Sequence, residues 1–580
     1  MRNAKIVCTL GPASDDRETI RRLVEGGMSV ARLNASHGTT RDRAELIDLI
    51  REVDAETDTP VATMLDIAGP EVRTAPHEGT VTYEAGDSVQ FVASDTLSED
   101  TIGLSRSSAA VAPGDRVLLD DGRIETTVES VEGDVVEARV VSGGVLGGHR
   151  GVNVPGVDLG FETITDADRQ ELELAAEKAV EFVAASHVRS AEDVYAVADA
   201  VEGYGIEVPV VAKIEREVAV DNLDGIVDAA YGVMVARGDL GVECPLEEVP
   251  LIQKRIIRRC HRAGVPVITA TEMLDSMIHE TRPTRAETSD VANAVLDGTD
   301  AVMLSGETAV GDHPVRVVET MARIVRDIEA SDEYAEVRER RVPDVGDTRT
   351  DALTRSGRYL ARDVGATAVV VASESGYTAR ATAKYRPPVP IVASTPDHRV
   401  RRQLSLSWGV VPRHSELDGD GVDAIILDAV DTSIDTGLVA SGDTVVVVSG
   451  MMTDMDGTDA TNTLKVHVAA ESIASGRGVV GGTAAGPLYR VDDGDLRALP
   501  EGAVVALPAE YDEEFLGDPT KLSGIAHARV SMTGYPAVVA REVGIPMTSG
   551  ISLPDIVEDG DVITLDGDRG VVYRGEVTGR

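Results

Sequence analysis

The chain has 580 residues, 42% of them hydrophobic, with three cysteines and a formal net charge of -45. That length can hold several domains with substantial cores, while no apolar run approaches the ~18 residues of a membrane helix. Three cysteines are too few for a disulfide framework, and the charge opposes binding to nucleic acid or to an anionic membrane.

Acidic residues are spread along the chain instead of gathering in a tail; only 7 of the 55 basic residues are lysine, and aromatics are 3%. This is the pattern of a halophilic, haloarchaeal-like surface, solvated in a salt-rich cytosol that screens self-repulsion. The first residues, Met1-Arg-Asn-Ala-Lys-Ile-Val, lack the apolar region of a signal peptide and lead straight into a strand. A cytoplasmic location is expected.

Short apolar runs alternate with amphipathic segments from the start. Strands are predicted at 5–10, 29–33, 61–67, 182–186, 208–214, 232–236, 266–270 and 301–304. Between most of them the spacing predicts helices, at 17–25, 41–53, 166–180 (N-capped by Thr165), 248–262 and 285–296. Eight strands in βα alternation predict an α/β fold, a (β/α)8 TIM barrel whose site belongs at the carboxyl ends of the strands.

From 71 to 152 the composition turns to Gly, Asp and Val, with hairpin signals at Asp120-Asp121-Gly122 and Glu132-Gly133-Asp134. This predicts an all-β domain inserted after the third strand and placed to act as a lid. Beyond the charged stretch 336–347, a helix at 352–363 and strands at 368–372, 390–393 and 444–449 predict a further α/β domain. The Gly-rich run 476–486 then opens a region of short strands. The expected domains are the barrel (1–70 and 153–340), the lid (71–152), an α/β domain (341–475) and a C-terminal extension (476–580).

Two of the predicted strands end abruptly in charge, Val-Ala-Lys213-Ile-Glu215 and Val-Ala-Arg237-Gly-Asp239-Leu-Gly. An ammonium and two carboxylates gathered at strand ends suit a divalent metal and the negative charge of a phosphoryl group. Phosphoryl transfer is the predicted chemistry.

Seven segments in order carry a resemblance to pyruvate kinases across 1–475: Lys5-Ile-Val-Cys-Thr-Leu-Gly-Pro12, Val30-Ala-Arg-Leu-Asn-Ala-Ser-His-Gly38, Gly69-Pro-Glu-Val-Arg73, Lys213-Ile-Glu215, Arg237-Gly-Asp-Leu-Gly241, Ala270-Thr-Glu-Met-Leu274 and Met303-Leu-Ser-Gly-Glu-Thr308. The resemblance implies phosphoryl transfer from phosphoenolpyruvate to ADP, leaving an enolate that is protonated to pyruvate. It implies Mg2+ or Mn2+ on Glu215 and Asp239, charge stabilisation by Lys213, and phosphoryl binding by Arg32. Backbone amides near Gly238 and Asp239 would hold the substrate carboxylate. Thr271 matches the place where the methylene is protonated, with a relay through water, Ser305 and Glu307.

By the same resemblance Asn34, Ser36, Asp66 and the Ile67 carbonyl form a K+ site, and the acid at Glu71 goes with K+ dependence. Asn34, His37 and Arg73 match positions that meet nucleotide phosphates. The chain departs from the family at Ala68 and Ala167, where lysines are usual, and at His187, where an aromatic is typical. Its nucleotide site therefore leans on fewer cations. A homotetramer is implied.

Ser373-Glu-Ser-Gly-Tyr-Thr378 resembles the family's effector-binding loop, with Ser373, Ser375, Gly376 and Thr378 toward a phosphorylated effector. The same residues read equally well as a simple helix N-cap. The tail, 486–575, resembles the swivelling phosphohistidine domain of phosphoenolpyruvate-utilising enzymes through Thr533-Gly-Tyr-Pro-Ala-Val-Val-Ala-Arg-Glu-Val-Gly-Ile-Pro546 and Leu565-Asp-Gly567. Tyr535 stands where the phosphorylated histidine belongs, with His527 a remote substitute. The tail is therefore expected to be structural or regulatory. A phosphohistidine-type phosphotransferase working through the tail is opposed by Tyr535 and by the lack of room for a separate ATP-grasp domain. A catalytically inactive metabolite sensor is opposed by the intact Lys213, Glu215 and Asp239.

Overall fold

The computed structural model describes residues 2–417, 422–450, 461–554 and 556–577. Eight parallel strands close a barrel: β1 (Lys5–Thr9), β2 (Val30–Asn34), β3 (Ala62–Ile67), β4 (Phe182–Ala185), β5 (Val210–Ile214), β6 (Gly232–Ala236), β7 (Val267–Ala270) and β8 (Ala301–Leu304). Each pairs with its neighbours in sequence, and β8 closes on β1 through Cys8 and Leu304. The strands are apolar throughout because both faces are buried. Val7, Val30, Met64, Phe182, Val211, Met234, Ile268 and Met303 fill the interior. Alternate residues such as Ile6, Leu33, Leu65, Val183 and Val233 share a second core with the helix residues Ile20, Leu23 and Ile47.

Every predicted barrel strand is present, with ends trimmed for local reasons. β5 and β7 begin directly after Pro209 and Pro266, because proline has no N–H to give the ladder, while β3 begins at Ala62 because the Val61 N–H is taken by Asp54. The helix expected to reach 180 stops at Glu177, and Ala179 lies in the left-handed region at φ 47°. Thr165 caps it as predicted, in a reciprocal capping box with Asp168. The helix expected from 41 begins instead at Thr40, since Thr39 forms a second capping box with Asp42.

Between β3 and β4 the chain leaves the barrel and forms short strands from Val72–Arg73 to Gly151–Asn153, in a seven-stranded sheet and a separate two-stranded pair. They enclose their own core of Tyr83, Phe91, Ile102, Val117 and Val136. The Asp120-Asp121-Gly122 turn has all three residues at positive φ. Asp and Gly are the residue types that accept that conformation in a hairpin.

The chain divides into two compact units, one of 1–352, 374–386 and 395–414 and the other of 353–373, 387–394 and 415–580, so residues 341–475 contribute to both. In the second unit, Ala368–Ala372 pairs in parallel with Ile391–Thr395 and Thr444–Gly450, and Thr461–Val468 runs antiparallel at the end. The last of these escapes sequence reading, since its alternation of polar residues suits a one-sided edge strand. The C-terminal extension forms an eight-stranded sheet. Within it Ala503–Leu507, Leu522–His527 and Met547–Ser549 run in parallel, and the helix Tyr535–Val543 connects the last two. Among the described residues no helix is long and apolar enough to cross a membrane.

Candidate active site

A cavity of about 270 Å3 opens over the carboxyl ends of the barrel strands and is roofed by the inserted domain. Arg32, Asn34 and Ser36 reach it from the end of β2, Lys213 and Glu215 from β5, and Asp239 from the helix after β6. Arg73 and Asp121 come from the inserted domain.

Lys213 is the hub. Its Nζ donates to Ser186 Oγ at 2.7 Å and lies 2.7 Å from Glu215 Oε1 and 3.4 Å from Asp66 Oδ1. Burial opposes its charge, but Asp66 and Glu215 more than offset that and hold the ammonium above its ordinary range. Glu215 is held low in turn, against burial, by Lys213 and by the His187 N–H that donates to Oε2 at 2.7 Å. His187 presents that N–H from a left-handed backbone, φ 57°.

Arg32 is fixed by a second pair of bonds. Nε donates to Asp66 Oδ2 at 2.6 Å and Nη1 to Thr9 Oγ1 at 2.9 Å. Asp66 therefore joins the two cations, and they keep its carboxyl low despite burial. Thr9 and Ser186 are hydrogen-bond partners of the candidate site that sequence reading missed. Each sits at the end of its strand beside a predicted site residue, which is the signal that was available.

The helix Arg237–Glu243, which follows β6 directly, lies close against the end of β7. A Cβ at Gly238 would stand 2.7 Å from Thr271 Cγ2, so only glycine fits. Thr271 and Glu272 are both left-handed, at φ 77° and 53°, and a β-branched residue there is strained. Arg237 holds the strained segment in place, donating from Nε to Ala270 O (2.9 Å) and from Nη2 to Thr271 O (2.8 Å). Asp239 borders the cavity and meets water there, yet enclosure in the cleft and the Glu215 charge push its carboxyl up to about 7. Two mutually repelling hard carboxylates are a donor set that a divalent cation relieves. Among the described residues no group of three His, Cys, Asp or Glu converges as a complete metal cage. Any ion held here takes its remaining oxygens from substrate or water.

Ser305 follows β8, and Glu307 is buried behind it. Burial raises the Glu307 carboxyl, and its two oxygens accept the N–H groups of Ser305 (2.6 Å) and Leu274 (3.1 Å). Glu307 thus ties the segment after β7 to the segment after β8. Asn34 Oδ1 accepts the Ser36 N–H, and Asp66 stands opposite Asn34 in the β2–β3 register with Ile67 next in β3. Glu71 pairs with Arg73, Nε to Oε2 at 2.8 Å.

A second cavity, of about 600 Å3, shares Arg32, Asn34 and His37 with the first. Its walls are apolar at Leu10, Pro12, Leu46 and Leu49, with Asp15, Asp42 and Ser305 among the polar groups. An apolar slot adjoining a cationic cleft suits a flat base joined to phosphates. Leu46 and Leu49 went unremarked in the sequence because they lie on the helix Thr40–Glu56, on a face that reads as ordinary core.

Of the predicted effector residues, Ser373 follows Ala368–Ala372 and donates its N–H to Ser394 O at 3.0 Å. Ser375 Oγ accepts the Tyr377 N–H at 3.3 Å, Gly376 (φ 75°) caps the helix Tyr377–Lys384, and Thr378 is buried in its first turn. In the tail, Tyr535 opens its helix, and its N–H donates to Asp512 Oδ1 at 2.8 Å. Arg529 lies 3.3 Å from the other Asp512 oxygen. His527 is buried at the end of its strand.

Residues 1–318 match the family model for the barrel domain of pyruvate kinase, and residues 351–467 that for its alpha/beta domain. Residues 499–570 match the mobile domain of PEP-utilising enzymes. The chain is 40% identical over 588 aligned residues to a pyruvate kinase of Geobacillus stearothermophilus, covering 100% of this chain and 99% of that one. It is 39% identical to a pyruvate kinase of Bacillus licheniformis and 38% to one of Sporosarcina psychrophila, each aligned over the whole of both chains.

Proposed function

This chain belongs to the pyruvate kinase family, and on that premise we propose how its residues move a phosphoryl group from phosphoenolpyruvate to ADP, giving pyruvate and ATP. The observation that carries the proposal is the linked set Arg32, Asp66, Lys213 and Glu215 at the carboxyl ends of β2, β3 and β5. Two cations and two carboxylates are fixed there before substrate arrives, so charge that develops on the transferring group meets oriented partners.

Arg32 offers its fork to the phosphoryl oxygens, and Lys213 stabilises charge on the phosphoryl group and then on the enolate oxygen. Backbone amides at Gly238 and Asp239 receive the substrate carboxylate, which the missing side chain at 238 allows to approach. Glu215 and Asp239 would hold Mg2+ or Mn2+, which would supply positive charge against the developing negative charge of the substrate. Asn34, Ser36, Asp66 and the Ile67 carbonyl hold K+. ADP lies along the apolar slot, its phosphates toward Asn34, His37 and Arg73.

The enolate takes its proton on the Thr271 side, through water and Ser305. Glu307, with both oxygens engaged by backbone amides, positions Ser305 and the 271–274 segment. The reading extends to a cytoplasmic homotetramer whose loop at Ser373, Ser375, Gly376 and Thr378 takes a phosphorylated effector. The net charge of -45 supports adaptation to a salt-rich cytosol, testable as a melting temperature that rises with molar KCl.

Coupling ADP and phosphoenolpyruvate turnover to pyruvate formation, with Mg2+ and K+ at low and high salt, tests the whole reading. Pyruvate formed in step with ATP is the expected result, and none formed at any salt concentration overturns it.

A further inference from the structure

The carboxyl end of β4 lies between those of β3 and β5, with Ala185 in register with Ile67 on one side and Ala212 on the other. The next residue along each of β4 and β5 is Ser186 and Lys213, so the two side chains stand together. Ser186 is buried, and the chain turns away after it through the left-handed His187.

The direction of each hydrogen bond follows from what the groups can do. An ammonium has three N–H donors and no acceptor, so Lys213 Nζ donates to Ser186 Oγ at 2.7 Å. The serine hydrogen then leaves toward Asp66 Oδ1 at 3.3 Å, since a carboxylate only accepts. A second N–H of Lys213 is taken by Glu215 Oε1 at 2.7 Å. The third is left for the cavity that Lys213 lines.

Asp66 Oδ1 competes for that third donor from 3.4 Å. An ammonium and a carboxylate with nothing to hold them apart close to about 2.8 Å. Ser186 opposes the closure twice over, by holding Lys213 and by donating to the same oxygen of Asp66.

We propose that Ser186 is a positioning residue for phosphoryl transfer, keeping the Lys213 ammonium off Asp66 so that its third N–H faces the substrate. The inference rests on the role proposed above for Lys213, and it assigns the aim of that charge to a neutral hydroxyl on another strand.

Ser186→Ala in the full-length protein tests this, with Lys213→Met measured beside it. Without the hydroxyl the ammonium drifts about half an ångström toward Asp66, and kcat should fall roughly tenfold. KM for phosphoenolpyruvate should stay unchanged, the pattern of an interaction made only in the transition state. Oxalate, a planar dianion shaped like the enolate, should bind the Mn2+-loaded variant about tenfold more weakly by calorimetry. Mn2+ affinity should match the wild type, which separates misdirected charge from a disturbed metal site. Wild-type kcat and oxalate affinity in Ser186→Ala, with turnover lost in Lys213→Met, overturn the inference and leave the role of Lys213 standing. A tenfold loss of Mn2+ affinity in Ser186→Ala also overturns it, because the serine would then act through Glu215. Wild-type turnover in Lys213→Met removes the role of Lys213 and the inference together.

Discussion

Thr271 occupies the space that a side chain at residue 238 would need, its Cγ2 standing 2.7 Å from where a Cβ would fall. On the proposed mechanism, the contact sets the spacing between the helix whose first amides receive the substrate carboxylate and the segment where the enolate takes its proton. Gly238→Ala pushes the two apart, and displacements near 1 Å at a reacting centre cost on the order of 100-fold. A fall of that size in kcat/KM for phosphoenolpyruvate is expected. Gly241→Ala is the control, because its Cβ meets only the flexible end of Leu246 at 3.3 Å. Steady-state kinetics of both variants provide the check.

Lys213→Met removes the ammonium that sits between Glu215 and Asp66. Loss of one preorganised charge at such a centre lowers kcat by about 100- to 1,000-fold. Glu215 is then buried with no lysine beside it, so the metal-free protein should also lose stability, by about 3 kcal/mol. Pyruvate formation and urea unfolding measure the two effects separately. A variant that keeps wild-type turnover removes Lys213 from the mechanism.

Asp239 gives the site a pH dependence. With its carboxyl raised to about 7, it is protonated below that pH and must lose the proton to hold a divalent ion. Mn2+ affinity should fall as pH drops below about 7 and stay level above it, with a proton released on binding at the lower pH only. The same shift has a defined sign for folding. The native carboxyl resists ionising more than the unfolded one, so in metal-free protein it costs stability as pH rises from about 4 to 7. Calorimetry in two buffers of different ionisation enthalpy detects the proton.

Glu71 tests the monovalent-ion proposal. Replacing K+ by tetramethylammonium should reduce turnover sharply, and Glu71→Lys should restore it by placing an ammonium near the same oxygens. The substitution also frees Arg73 from its 2.8 Å bond, so KM for ADP should change with it. Equal turnover with and without K+ removes the site.

The barrel and the three charged strand-end residues were legible because buried parallel strands read as apolar runs, and Lys213, Glu215 and Asp239 interrupt them at their carboxyl ends. Partners set by tertiary approach were not legible. Thr9 is 23 residues from Arg32 and Ser186 is 27 from Lys213, and nothing local links either pair. The edge strand Thr461–Val468 was lost for the opposite reason, since one solvent-facing side dilutes its apolar pattern.

In the tail, Tyr535→His restores the residue type of a phosphohistidine, but Asp512 already accepts the first N–H of that helix. The variant should carry no acid-labile phosphate after incubation with labelled phosphoenolpyruvate. Tyr535→Ala should leave pyruvate formation unchanged. Stable labelling of the histidine variant contradicts this account of the tail.

The prolines at the entrances of β5 and β7 act as rulers. A strand whose preceding residue has no N–H cannot lengthen backward by borrowing a bond from its neighbour, so its register is counted from that proline. Lys213 and Thr271 each fall a fixed short count further along. A slip of one residue would turn Lys213 from the barrel mouth toward the surrounding helices and erase the charge cluster in one step. The precision of the catalytic face is thus set at the far end of the barrel, by residues that never approach a substrate.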